Sequence, residues 1–228
     1  MTRLLILLLP VLIFAWLMLR LSLTRTRRDL SSRSALLTDA ELERQTARLA
    51  EALESGRISI LLLRDPSVNG FADADGRIFL TEGFMAKHRN GEVSGEELAS
   101  VIAHELGHVA AGHVKRRMRD VVGQDAALFL VSGLLSRVLP FIGPWVASHA
   151  ANAVMAHFSR RDEFEADTWA SALLIKAGIG TGPQKSLLRK LDALTAQAGN
   201  DVPAWLRSHP SAEERIASIE NNEARWRG

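Results

Sequence analysis

Hydrophobic residues fall into a few blocks along the chain, and their spacing changes from block to block. Leu4 to Leu19 is uncharged and almost wholly apolar, interrupted only by Pro10. With Arg20 to Leu23 as a snorkelling margin it reaches about twenty residues, enough to cross a bilayer as one helix. Residues 1–23 are therefore expected to anchor the chain in a membrane. A cleaved signal peptide is the rival, but Leu21-Ser22-Leu23-Thr24 makes a poor small-x-small cleavage site. Residues 24–37 read as a basic linker. Its arginines (Arg25, Arg27, Arg28 and Arg33) suit anionic lipid head groups, although a plain stop-transfer flank has the same composition. Only Arg3 precedes the span, so the positive-inside rule favours a cytoplasmic domain over a periplasmic one.

From residue 38 to residue 228 the pattern is that of one mostly helical domain. Thr38 with Glu41 predicts a capped helix running to about Ser55. Arg57 to Leu63 and Arg77 to Thr81 are short β-rich runs, set off by turn clusters at Asp65 to Gly70 and at Asp75-Gly76. A small sheet is thus expected before the next helix, with an edge able to pair with an extended peptide. Asp73, Asp75 and Gly76 lack the later ligands of a calcium loop and are read as a turn. Ser94 and Glu97 form a second capping box, and the helix they open has an apolar face of Leu98, Val101, Ile102 and Leu106. Val121 to Phe158 is again apolar, but Arg137, Pro140, Gly143 and Pro144 interrupt it, and neither half holds about eighteen clean apolar residues. A helical hairpin over 121–158 is expected, buried or lying on a membrane surface, with a membrane-embedded pair as the alternative. Helices are predicted over Ser159 to Lys176, over Thr181 to Ala198 and from a third capping box at Ser211 toward Trp226. The fold class is α+β, mostly α.

Composition narrows the chemistry. A formal charge of +2 over 228 residues gives no reason to expect nucleic acid as a partner. The chain has no cysteine, so disulfides and thiolate metal sites are excluded, and any metal must be held by His, Asp or Glu.

Against that background the run His104-Glu105-Leu106-Gly107-His108 stands out. Histidines four apart on a helix lie on one face, one turn apart, and two imidazole nitrogens so placed can share a zinc ion. The glutamate between them is placed to take a proton from an activated water. Two surface histidines on an amphipathic helix would give the same letters. Gly107, a tolerable cost to the helix, leaves room for another segment to pack close. Catalytic zinc takes three protein ligands. The extended motif would put glycine where Ala111 stands and histidine where Val114 stands, so it is absent. His113 lies nine residues after His104, about half a turn round a continuing helix, and is read as a solvated histidine. His149 and His157 read as polar residues of the hairpin rather than ligands. Glu163 and Asp167 are four apart and share a face. One carboxylate there suits a metal and the second suits a ligand histidine's other ring N–H, while a charged helix surface explains the same spacing.

Taken in order, these segments resemble a known family. His104 to His108, followed by Ser159-Arg160, Glu163-Phe164 and Ala166-Asp167, is similar to the HtpX-type membrane zinc metallopeptidases, whose relatives include BepA-type, mitochondrial Oma-type and CAAX prenyl proteases. Asn69 to Ala72 with Gly76 to Gly83 is similar to the family's strand pair, and Ser208-His209-Pro210 with Glu213 to Ile216 to its C-terminal segment. Asp73-Ala74-Asp75 departs from the family's proline-containing turn. The resemblance implies a zincin-type helical metallopeptidase domain behind an anchor helix. It implies one zinc ion held by His104, His108 and Glu163, with Glu105 as general base and Asp167 behind the ligands. It implies that His209 stands near the metal, polarising the substrate carbonyl, stabilising the oxyanion or plugging the resting site. Arg160 is expected to pair with Asp167 or to hold substrate backbone. The function implied is a single-pass endopeptidase of a bacterial inner membrane, acting on misfolded or membrane proteins. A membrane-anchored chaperone or adaptor with a silent zinc site is the alternative.

Overall fold

The computed structural model describes residues 20–21, 24–73, 75–113, 116, 143–198 and 212–227. The expected anchor, most of the expected hairpin and His209 lie outside the described residues. Among those that are described, no helix is long and apolar enough to cross a membrane.

Much of the stretch read as linker is regular structure. Residues 24–32 form a helix (α1), and Ser34–Leu36 form a strand (β1). Helix α2, Ala40–Ala52, begins one residue later than its capping box suggested. Asp39 is the cap, and its carboxylate accepts from the N–H groups of Glu41 and Leu42. Glu41 caps a different helix instead, accepting from Gly95 N at 3.1 Å. Strands β2 (Ile60–Leu63), β3 (Gly70–Ala72) and β4 (Ile78–Thr81) complete a sheet of order β1-β2-β4-β3. β2 and β4 run parallel, and the two outer pairs are antiparallel. The turn between β3 and β4 is closed by Asp73, which accepts from the N–H groups of Asp75 and Arg77 and pairs with the Arg77 guanidinium. Gly76 takes the left-handed conformation the turn requires (φ 82°).

Helix α3, Glu82–Arg89, follows β4 directly on a Thr81 cap. Helix α4, Gly95–Ala110, carries the histidine motif and starts with both halves of the expected Ser94–Glu97 capping box. Glu97 does more than cap. Its carboxylate also accepts from Ser186 Oγ and Lys190 Nζ, tying α4 to helix α6, Gly182–Ala198. Helix α5 spans Gly143–Lys176, so the second arm of the expected hairpin and the helix predicted from Ser159 are one element. Pro144 falls in its first turn, where a missing N–H costs nothing, and no breaker follows until Gly178 (φ 70°). Helix α7, Ala212–Arg227, ends the described chain. Leu98, Val101 and Ile102 of α4 are buried at the centre of the core, with Leu42 and Leu49 of α2, Ile78 and Leu80 of β4, and Ala170 and Leu174 of α5. The motif helix is therefore packed on every side before its histidines are considered.

Candidate metal centre and active site

Helices α4 and α5 approach closely where the motif lies. A Cβ on Gly107 would stand 2.9 Å from the carbonyl oxygen of Ala166, so only glycine admits this approach. It brings the next polar residues of α5 over the histidines. His104 Nε2 lies 3.2 Å from Glu163 Oε2, His108 Nε2 lies 3.4 Å from Glu163 Oε1, and the two Nε2 atoms are 3.1 Å apart. Tetrahedral ligands about 2.0–2.1 Å from a zinc ion lie roughly 3.3 Å from one another. The three side chains, all buried, thus fit such an ion in both donor type and spacing.

His104 is oriented from behind. His104 Nδ1 is 2.9 Å from Asp167 Oδ1 and donates to it, which turns the Nε2 lone pair toward the shared point. Asp167 in turn accepts from Arg215 Nε (2.6 Å) and Nη2 (2.7 Å), and more weakly from Gln184 Nε2. Ser171 Oγ fixes the Gln184 amide at 2.8 Å. The expected pairing of Arg160 with Asp167 is not what holds this carboxylate. Seven residues along a helix is two turns, about 10 Å, and Arg160 is exposed. The guanidinium comes from α7.

His113 also departs from its sequence reading. It is 1% exposed, not solvated. Helix α4 ends at Ala110, and Gly112 turns the chain in the left-handed conformation (φ 68°), so an extrapolation at helical pitch fails. The turn sets His113 Nδ1 2.9 Å from His108 Nδ1. A glycine four residues after His108 was the available signal. Arg215 falls in the C-terminal segment that resembles the family, but nothing in the sequence ties it to Asp167.

Glu105 points toward the sheet. The ladder bonds Asn69–Thr81 and Asp73–Arg77 flank the strand, so Gly70 and Ala72 turn their backbone groups away from β4, to a side where no other strand of the described residues pairs. Ala72 N–H donates to Glu105 Oε2 at 2.9 Å. Burial, together with the nearby Glu163 charge, pushes the Glu105 carboxyl up to about 7, against the pull of His104 and the Ala72 N–H. Burial and the Arg215 charge oppose protonation of His104, but Asp167 and Glu163 outweigh them and hold it up at about 9. Burial takes His108 down to about 4, with Glu163 opposing. Burial works against the Asp167 charge, yet Arg215 and His104 keep that carboxyl well below the usual range.

Comparison with known proteins agrees with this geometry. The model of peptidase family M48 matches residues 36–223. The mitochondrial metalloendopeptidase OMA1 of Schizosaccharomyces pombe is 31% identical over 167 residues, covering 70% of this chain and 44% of that one. The putative beta-barrel assembly-enhancing protease of Vibrio cholerae is 31% identical over 166 residues, 69% of this chain and 33% of its own length. Metalloprotease YcaL of Escherichia coli is 29% identical over 183 residues, 77% and 68% respectively. This chain therefore spans less than half the length of the first two relatives. Because the family match runs through the motif helix, the sheet beside it and all three helices behind it, the chain belongs to peptidase family M48.

Proposed function

We propose that this protein is a zinc-dependent endopeptidase that hydrolyses peptide bonds in misfolded or unassembled proteins at a membrane. The convergence of His104 Nε2, His108 Nε2 and the Glu163 carboxylate on one point, with buried Glu105 beside them, carries this reading. A zinc ion held by those three side chains would supply a water of lowered pKa and a polarised substrate carbonyl. Glu105 takes the attacking water's proton and delivers it to the leaving amine. The Ala72 N–H holds one oxygen of that carboxylate, so the base is oriented before substrate arrives. The outer edge of β3 pairs with an extended substrate chain through the backbone groups of Gly70 and the Ala72 carbonyl, the Ala72 N–H being held by Glu105. His209 stabilises the oxyanion from the segment before α7. Arg160, exposed on α5, contacts substrate backbone.

The apolar segment at residues 4–19 supports a single-pass anchor in a bacterial inner membrane, and the basic residues after it support contact with lipid. The name of the Vibrio cholerae relative supports membrane-protein substrates. The test is cleavage of a permanently unfolded protein by the purified full chain. Cleavage is expected to stop on chelation and to return with added zinc. Cleavage that survives chelation, or a zinc-saturated protein that cuts nothing, contradicts the reading; the latter result would favour a silent adaptor.

A further inference from the structure

Both metal-facing histidines can present a bare Nε2 only if the proton of each ring sits on Nδ1, and a buried Nδ1–H needs an acceptor. For His104 that acceptor is Asp167. For His108 the atom in place is His113 Nδ1, at 2.9 Å. Two ring nitrogens at that distance share one proton, so with His108 donating, His113 Nδ1 accepts. The remaining proton of His113 then sits on Nε2. That atom faces two carboxylates, Glu165 Oε2 at 3.3 Å and Asp162 Oδ1 at 3.6 Å. Every ring thus has the tautomer its neighbours require, and the donors run in one direction from ligand to carboxylate.

We propose that His113, backed by Glu165 and Asp162, is a positioning residue for the metal ligand His108, accepting its Nδ1–H and so holding the Nε2 lone pair on the metal point. The inference rests on His108 being a ligand, as proposed above. Its physical sense lies in the contrast with His104. A carboxylate placed directly behind His104 is buried and needs the Arg215 guanidinium to neutralise it. A second buried carboxylate behind His108 would need a second buried cation. Placing the His113 ring behind His108 lets the negative groups sit one ring further out, where Glu165 is 54% exposed and Arg116 lies 3.3 Å from Asp162.

The test is zinc affinity of the full chain by competition with a chromophoric chelator, together with NMR of the zinc-loaded protein labelled with 15N-histidine. His113→Asn places an amide oxygen near the position of the lost Nδ1, whereas His113→Leu places no acceptor there. Removing the outer partner of a ligand histidine typically weakens metal binding by about 10–100-fold. That loss is expected for His113→Leu, with His113→Asn within about threefold of wild type. A slowly exchanging His108 Nδ1–H signal is expected in wild type and His113→Asn alone. If His113→Leu fails to fold, His113→Gln replaces it, since its amide reaches past the Nδ1 position. Unchanged affinity in His113→Leu, or equal losses in the Asn and Leu variants, overturns the proposal while leaving the zinc reading intact. A wild-type chain that binds no zinc overturns both.

Discussion

At the scale of single residues, the Asp167–Arg215 pair sets the terms for the site. Both groups are buried, and Arg215 meets Asp167 through two hydrogen bonds. Removing the guanidinium leaves a carboxylate charge buried without its partner, which typically costs about 3–5 kcal/mol, whereas replacing both with apolar groups is often close to neutral. Arg215→Met is therefore expected to lower the unfolding free energy by about 3–5 kcal/mol. Adding Asp167→Leu is expected to recover most of that loss while leaving His104 without its acceptor and zinc bound more weakly. Urea titration of the single and double variants checks this, and equal destabilisation of the two would show that the pair is not the source. The four-residue spacing of Glu163 and Asp167 put them on one helical face but fitted a charged surface equally well, and only the resemblance of the surrounding segment to a known family pointed to their roles. Arg215 lay within the C-terminal segment that resembles the family, but its pairing with Asp167 was not legible, because the two are 48 residues apart and meet only through tertiary packing. His113 was misplaced because a single glycine changed the direction of the chain.

Among the elements, the contact between α4 and α5 decides whether the ligands meet at all. Gly107 has its neighbour's backbone where a side chain would go. Gly107→Leu is expected to push the helices apart, costing about 1–3 kcal/mol as overpacking does, and to lower zinc affinity by moving Glu163 away from the histidines. Thermal unfolding with and without zinc measures both effects; a variant that keeps wild-type stability and zinc affinity would contradict the close approach. The motif helix was legible because its cap, apolar face and glycine all lie within a few turns of one another. The sheet was only half legible. Ile60–Leu63 and Ile78–Thr81 carry the apolar runs of central strands, whereas Ser34–Leu36 is a three-residue strand hidden in a basic stretch. The helix from Gly143 ran on through Ser159 because a change from apolar to charged composition does not by itself break a helix.

Across the whole molecule, the site is a problem of charge. Glu105, Glu163 and Asp167 are buried together against the guanidinium of Arg215, the one buried arginine among the described residues, a deficit that a divalent cation closes. Without a cation, protons fill it: His104, held up by Asp167 and Glu163 against burial and Arg215, keeps its proton up to about pH 9, and Glu105, pushed up chiefly by burial, keeps its own up to about 7. The sign of the pH dependence follows. His104 is raised above its ordinary 6.5, so its contribution to metal-free stability is complete below pH 6.5 and is lost as pH rises through about 9. Glu105, raised from 4.5 to about 7, also removes stability as pH rises, but His108, lowered to about 4, returns it over much of that range. The metal-free protein is therefore expected to lose stability between about pH 7 and pH 9, while zinc affinity rises over the same interval as the proton is displaced. Denaturation curves and zinc competition across that window check both slopes; metal-free stability that rises with pH would contradict the charge account. The most direct test of the central claim compares zinc content and peptide cleavage in wild type and Glu105→Gln. The expected result is one zinc per chain in both, with cleavage reduced by about 10²–10⁴-fold in the variant, as for loss of a general base. A variant that cleaves as fast as wild type, or a wild type that holds no zinc, would contradict the account.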